Sequence, residues 1–182
     1  HYNPSRRGER EVDVLVEKAV KYYQDAADKL AVSESPDDKK LAKLSLEYLV
    51  SVYGVDKMND PAKAEPVVQK MIRLEPGEPS NYFALAKIYE DAGVYAEAEQ
   101  MLLYAKQAKP SDPAVYMQLA GYYNRQNEFE KTIGALQDRA KVEPNNPEAH
   151  FTISTYYWDN AQRNFRLTDQ EKPAQIAGGL DA

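Results

Sequence analysis

An all-α array of antiparallel helical hairpins is the fold the sequence predicts, and three observations predict it. Proline-opened segments recur at a fixed interval: "EPNNPEAHFTISTYY" (143–157) repeats the chemistry of "KPSDPAVYMQLAGYY" (109–123), 34 residues earlier. Within each copy, apolar and small residues fall at spacings of 3, 4 and 7, which mark one face of a helix. The chain has 182 residues and 43% hydrophobic content, enough for one domain or a short array of repeats.

The first eight residues, with Arg6 and Arg7 just ahead of Arg10, are expected to be a solvated tail rather than a basic binding patch. From 9 to 34, Val12, Leu15, Val16, Ala19, Val20, Tyr23, Ala26, Ala27 and Leu30 keep helical spacing, so a capping helix or half of an earlier repeat is expected. At Ser35 to Asp38, "SPDD" combines an N-cap, proline at the first helical position and acids in the first turn, which opens a new helix. Residues 35–78 form a divergent hairpin: Leu46, Leu49, Val50 and Tyr53, then Ala64, Val68, Met71 and Pro76, with about two extra residues in "GVDKMNDP".

Three clearer units follow at 79–112, 113–146 and 147–182. With Pro79, Pro113 and Pro147 as position 1, Tyr82, Tyr116 and His150 fall at position 4, and Leu85, Leu119 and Ile153 at position 7. Ala86, Ala120 and Ser154 occupy position 8, and Tyr89, Tyr123 and Tyr157 position 11. Small residues at position 8 allow close helix approach, and the tyrosines fill space between hairpins. In the second halves, Ala98, Leu102 and Ala105 are matched by Thr132, Leu136 and, less well, Arg139. Between the halves, Gly93 and Asn127 suit the left-handed conformation that ends one helix before the next.

Pro110 and Pro144 end the second helix of a unit, because proline lacks a donor and clashes with the preceding turn. Asp112 and Asn146 then serve as N-caps, with Pro113 and Pro147 at the first helical position. The last unit departs after Asn160, where about six residues are inserted before the capping-box sequence Thr168 to Glu171 starts a final helix, with Pro173 close to that start. The chain opens on His1 rather than Met and stops at "GGLDA" without a closing proline, so a truncated chain with an incomplete last hairpin is expected.

This pattern resembles the tetratricopeptide repeat, a 34-residue helix-turn-helix unit, over roughly residues 43 to 182. The resemblance implies a right-handed α-solenoid whose first helices line a concave groove. On that basis the partner-binding positions are Phe83, Lys87 and Glu90 in one unit, Met117, Gln118, Gly121, Asn124 and Arg125 in the next, and Phe151, Thr155, Trp158 and Asp159 in the last. Phe83, Met117 and Phe151 form an apolar row at position 5. The groove awaits a partner or is covered from within, by the N-terminal helix or by the insertion with Phe165 and Leu167. The family's carboxylate clamp for chaperone tails is disfavoured: Phe83, Lys87, Gln118, Glu148 and Thr152 stand at its positions, with Lys87 as the one cation.

Chemistry-bearing motifs are lacking. The sequence has no phosphate loop, GxGxxG, HExxH, GxSxG or EF-hand pattern and no cysteine, and its two histidines do not make a metal or catalytic cluster. His150 stands in the aromatic column and is expected to be a core or half-buried residue; Asp37/Asp38 and Glu97/Glu99 are expected to be solvated helix faces. No catalytic residue, metal site or cofactor is therefore expected. A net charge of -6 argues against nucleic acid, and no apolar run approaches the roughly 20 residues of a membrane helix. Cytoplasmic and exported locations stay open. The expected function is a non-catalytic interaction module or scaffold that binds a peptide or helix of a protein partner. The alternatives are a self-association module, working through the last hairpin, and a non-catalytic part of a larger enzyme.

Overall fold

A computed structural model describes residues 10–54, 57–58, 60–163, 168 and 171–180. Among them are nine helices and no strand, as the all-α expectation requires. The chain divides into two units, His1–Ala108 and Lys109–Ala182. The tail at 1–8 and the inserted Phe165 and Leu167 lie outside the described residues.

In the first unit, α1 (Arg10–Ala31), α2 (Pro36–Tyr53), α3 (Pro61–Leu74), α4 (Pro79–Asp91) and α5 (Tyr95–Ala108) each pack on the next. Prolines open α2, α3 and α4, where their missing N–H costs no helical bond, and the side chains of Ser35, Asp60 and Glu78 accept from amides of the first turns. Part of the apolar stripe of α1 packs within this unit, while Leu15 stays 65% exposed. Ala27, with half-buried Val20 and Tyr23, joins Leu46, Leu49 and Tyr53 of α2 and Ala64, Val67 and Met71 of α3 in one cluster.

Two polar contacts fix α4 against α3. Asn81 is 2% exposed, and its side-chain amide donates to the carbonyls of Met71 (3.3 Å) and Glu75 (3.4 Å). It thereby reinforces the end of α3, where the Met71 carbonyl also receives the Glu75 amide at 2.9 Å. The Tyr89 hydroxyl donates to Glu65 at 2.8 Å; burial, and then this carboxylate, push its pKa above the ordinary tyrosine value.

Between α4 and α5, Gly93 adopts φ 75°, and the Val94 amide reaches back to the Tyr89 carbonyl at 2.8 Å. This closes α4 in the six-to-one manner of a Schellman turn. Leu85 and Ala86 are then buried on α4, with Ala98, Leu102 and Ala105 buried on α5.

The second unit comprises α6 (Pro113–Arg125), α7 (Phe129–Val142), α8 (Pro147–Arg163) and α9 (Glu171–Leu180). Asp112 and Asn146 accept from the amides of Ala114 and Glu148 at 3.0 and 3.1 Å, the caps expected from the sequence. Asn127, at φ 60°, repeats the turn made by Gly93, with the Glu128 amide donating to Tyr123 O at 2.9 Å. Leu119 and Ala120 of α6 are buried, as are Thr132, Leu136 and Arg139 of α7. Thr132 is satisfied by donating its hydroxyl to Glu128 O at 2.9 Å.

The position-4 tyrosines have a polar task that spacing alone did not disclose. Tyr116 donates its hydroxyl to Pro110 O at 2.6 Å, and in the first unit Tyr82 does the same to Pro76 O at 2.9 Å. Each ties a helix to the proline turn leading into it. His150 takes this column in α8 and is half-buried beside Ala140, Pro144 and Ile153.

The insertion is partly absorbed by α8 itself, which runs 17 residues against 13 in α4 and α6. Next, Thr168 and Glu171 form the expected capping box: the Thr168 amide donates to Glu171 at 2.7 Å, and the Glu171 amide donates to the Thr168 hydroxyl at 3.3 Å. Pro173 lies inside α9 and does not prevent it. α9 approaches α8 through Gly179, where a Cβ would stand 3.0 Å from both Ser154 O and Tyr157 Cβ.

The Thr168 amide, and then its hydroxyl, hold the Glu171 carboxyl below its ordinary value of 4.5. A depressed carboxyl contributes stability above its unfolded pKa and loses it as pH falls through the folded value. Hydrogen exchange of α9 amides is therefore expected to quicken, relative to α6, once pH drops below 4.5. Glu171→Gln is expected to abolish that pH step.

Candidate functional site

The second unit presents a face built from the outer sides of α6 and α8. On α6, Val115, Leu119, Tyr122 and Tyr123 point inward, which leaves Met117, Gln118, Asn124 and Arg125 exposed. On α8, Ala149 and Ile153 are buried, so Phe151, Thr155 and Trp158 share the opposite side at helical spacing. Phe151 is 69% exposed and Trp158 52%.

Polar contacts hold this face in shape. Tyr156 of α8 donates its hydroxyl to Asn124 Oδ1 of α6 at 3.0 Å, while its ring stacks on Phe129 at 5.3 Å. Gly121 leaves room for Arg125, whose Nη1 lies 3.3 Å from where a Cβ would be. The Arg125 guanidinium is thus folded back along its own helix. Asp159 is half-buried one residue beyond Trp158.

Under the face sits a charged cluster. Arg139 of α7 is 7% exposed; its Nε donates to Glu143 at 2.8 Å, and its Nη2 lies 3.7 Å from Glu148 of α8. Its Nη1 donates to the sulfur of Met117 at 3.2 Å. Arg139, and then the Asn146 amide, hold the Glu143 carboxyl below its usual value. The sequence column that made Arg139 a poor match for Ala105 therefore marks a side chain with partners on α6, on α8 and in the turn after its own helix.

In the first unit, the expected positions lie on α4. Phe83 and Glu90 are half-buried, and exposed Lys87 pairs with Asp91 one turn on. Phe83 is thus less available than its counterparts Met117 and Phe151. The structure also shows apolar surface that the repeat register did not single out. On α2, Leu41, Leu44 and Tyr48 are exposed along one side, and Tyr23 of α1 stacks on Tyr48 at 5.1 Å. The signal was present as a 3-and-4 spacing beside the core stripe of the same helix. In the second unit, Ile176 and Leu180 of α9 join Trp158 and Thr155 around a hollow of about 230 Å³.

Among the described residues, no three His, Cys, Asp or Glu side chains converge as metal ligands. No helix among them is long and apolar enough to cross a membrane.

Residues 57–120 match the tetratricopeptide repeat family. The match takes in α3, α4, α5 and the first part of α6, and leaves α2 outside. Comparison with curated proteins finds no match. Among solved structures, a crystal structure of MamA is similar at a TM-score of 0.55 and 17% identity, over 95% of this chain and 91% of that one. A second MamA structure gives 0.51 and 19%, covering 91% and 92% of the two chains. A monomeric mutant of IFIT1, solved with m7Gppp-AAAA, gives 0.51 and 17%; the match covers 91% of this chain and 37% of that one. At these identities the likeness is one of fold.

Proposed function

We propose that this chain, whose residues 57–120 match the tetratricopeptide repeat family, is a non-catalytic interaction module whose first-helix face binds a helix or extended segment of a protein partner. The observation that carries this reading is the outward row on α8: Phe151 and Trp158 keep half or more of their surface in water, with Thr155 between them and exposed Met117 on α6. Neither ring serves the core, which α8 supplies through Ala149, Ile153 and Ala161. Aromatic surface held out in this way is what interface anchors use. The m7Gppp-AAAA bound by IFIT1 is not carried over, because a chain of net charge -6 lacks the positive field that phosphates require.

The test is capture of partners by the immobilised chain and by a Phe151→Ala, Trp158→Ala double variant that keeps its helical circular dichroism. The double variant is expected to bind a captured protein about tenfold or more weakly, as loss of two anchors implies. Equal binding by parent and variant would place the interface elsewhere.

A second reading, self-association, is favoured by Leu180, which is 82% exposed beside Trp158 and Ile176. Light scattering is then expected to show dimers at high concentration that Leu180→Glu dissolves. A monomer across the whole range excludes it.

A further inference from the structure

We propose that Met117 is a site of reversible sulfoxidation by peroxides, with Arg139 as the positioning residue that selects one sulfoxide epimer and then holds it. Met117 is the most open of the four methionines: it is 39% exposed, Met71 is 8% exposed, and Met58 and Met101 are half-buried. Its sulfur accepts from Arg139 Nη1 at 3.2 Å, and the residue keeps 39% of its surface exposed. A thioether sulfur has two lone pairs. One is engaged by the guanidinium, so an oxidant meets the other.

The reaction is a two-electron transfer. The free sulfur lone pair attacks one peroxide oxygen, the O–O bond breaks, and an S–O bond forms. The hydroxide that leaves takes the proton of the newly sulfur-bound oxygen and becomes water, so the sulfur is oxidised to the neutral sulfoxide and the peroxide reduced. Because one lone pair is covered, oxygen adds to one side, and one of the two chiral sulfoxides is produced in excess. Rotation about the Cγ–Sδ bond then lets the new oxygen replace sulfur as the acceptor for Arg139. A thioether is a weak acceptor, and the sulfoxide oxygen is a stronger one.

The charge of the cluster favours this ligand over an anion. Arg139 already faces the carboxylates of Glu143 and Glu148, so a further carboxylate would add repulsion, whereas a sulfoxide is dipolar and neutral. Oxidation would turn the apolar group that α6 offers to the proposed face into a polar one. That consequence for binding rests on the docking face proposed above; the modification does not.

The experiment treats the intact chain with graded hydrogen peroxide and maps sulfoxides at Met58, Met71, Met101 and Met117 by peptide mass spectrometry. The two classes of methionine sulfoxide reductase, each specific for one epimer, then read the stereochemistry. Met117 is expected to oxidise first, with a several-fold excess of one epimer, and Arg139→Lys is expected to bring the epimers toward equality. Equal epimers at Met117 in the parent chain, or earlier oxidation of Met58 or Met101, would overturn the proposal. If Arg139→Lys does not fold, the epimer ratio of the parent decides alone. No readout involves a partner, so failure of the docking face and failure of this proposal are separable.

Discussion

Tyr123→Ala is expected to lower the stability of the second unit by about 3 to 5 kcal/mol, the range for emptying a buried aromatic site. Tyr123 is 8% exposed, meets Tyr122 edge-on at 5.6 Å between centroids, and has the Lys131 ammonium 5.2 Å above its ring. Truncation removes the ring, its edge contact and the seat of the cation together. Its carbonyl also receives the Glu128 amide in the turn after α6, so a cavity there loosens the helix end as well. Urea unfolding followed by circular dichroism measures the effect, with Tyr123→Phe as the control that keeps the volume. A loss below about 1 kcal/mol would be the size of a surface change and would contradict the packing. Tyr89, in the same column, is half-buried and is expected to cost less when truncated.

Asn81→Asp is expected to cost about 3 kcal/mol or more at neutral pH, although the two side chains have nearly the same shape. The native amide donates to two carbonyls at the end of α3 from a position that is 2% exposed. A carboxylate there has no hydrogen to give and places negative charge against both oxygens. The introduced carboxyl would therefore have a folded pKa raised above its unfolded value of about 3.9. With that sign, the deficit is smallest below the unfolded value and grows as pH rises through the folded one. Denaturant midpoints of parent and variant across acid and neutral pH measure it. A pH-independent difference would mean that the side chain does not face those carbonyls.

The hairpins were legible because their determinants are local. The columns Leu85, Leu119, Ile153 and Ala86, Ala120 repeat with the chain, and Gly93 and Asn127 take the positive φ that their residue types permit. The caps at Ser35, Asp112 and Asn146 and the box at Thr168 and Glu171 are short-range hydrogen bonds between residues two or three apart. What stayed hidden depends on contacts between helices. Asn81 occurs in one copy only, so no column marked it as a donor to the end of α3. Arg139 read as a mismatch with Ala105, because its partners Met117 and Glu148 come from neighbouring helices. For the binding face, the family resemblance pointed to Phe151 and Trp158, but not to the half-burial of Phe83, since exposure depends on neighbours as much as on position.

The chain has 14 tyrosines and a single tryptophan, and that tryptophan is Trp158. Excitation at the red edge, where tyrosine does not absorb, therefore interrogates one spot on α8 and nothing else in the protein. Its emission should begin at the long wavelengths of a half-hydrated indole and move to shorter ones when a ligand displaces water from Phe151 and Trp158. Collisional quenchers should lose access in the same step. The molecule thus carries an intrinsic optical reporter at its proposed docking face, and candidate ligands can be screened without a label.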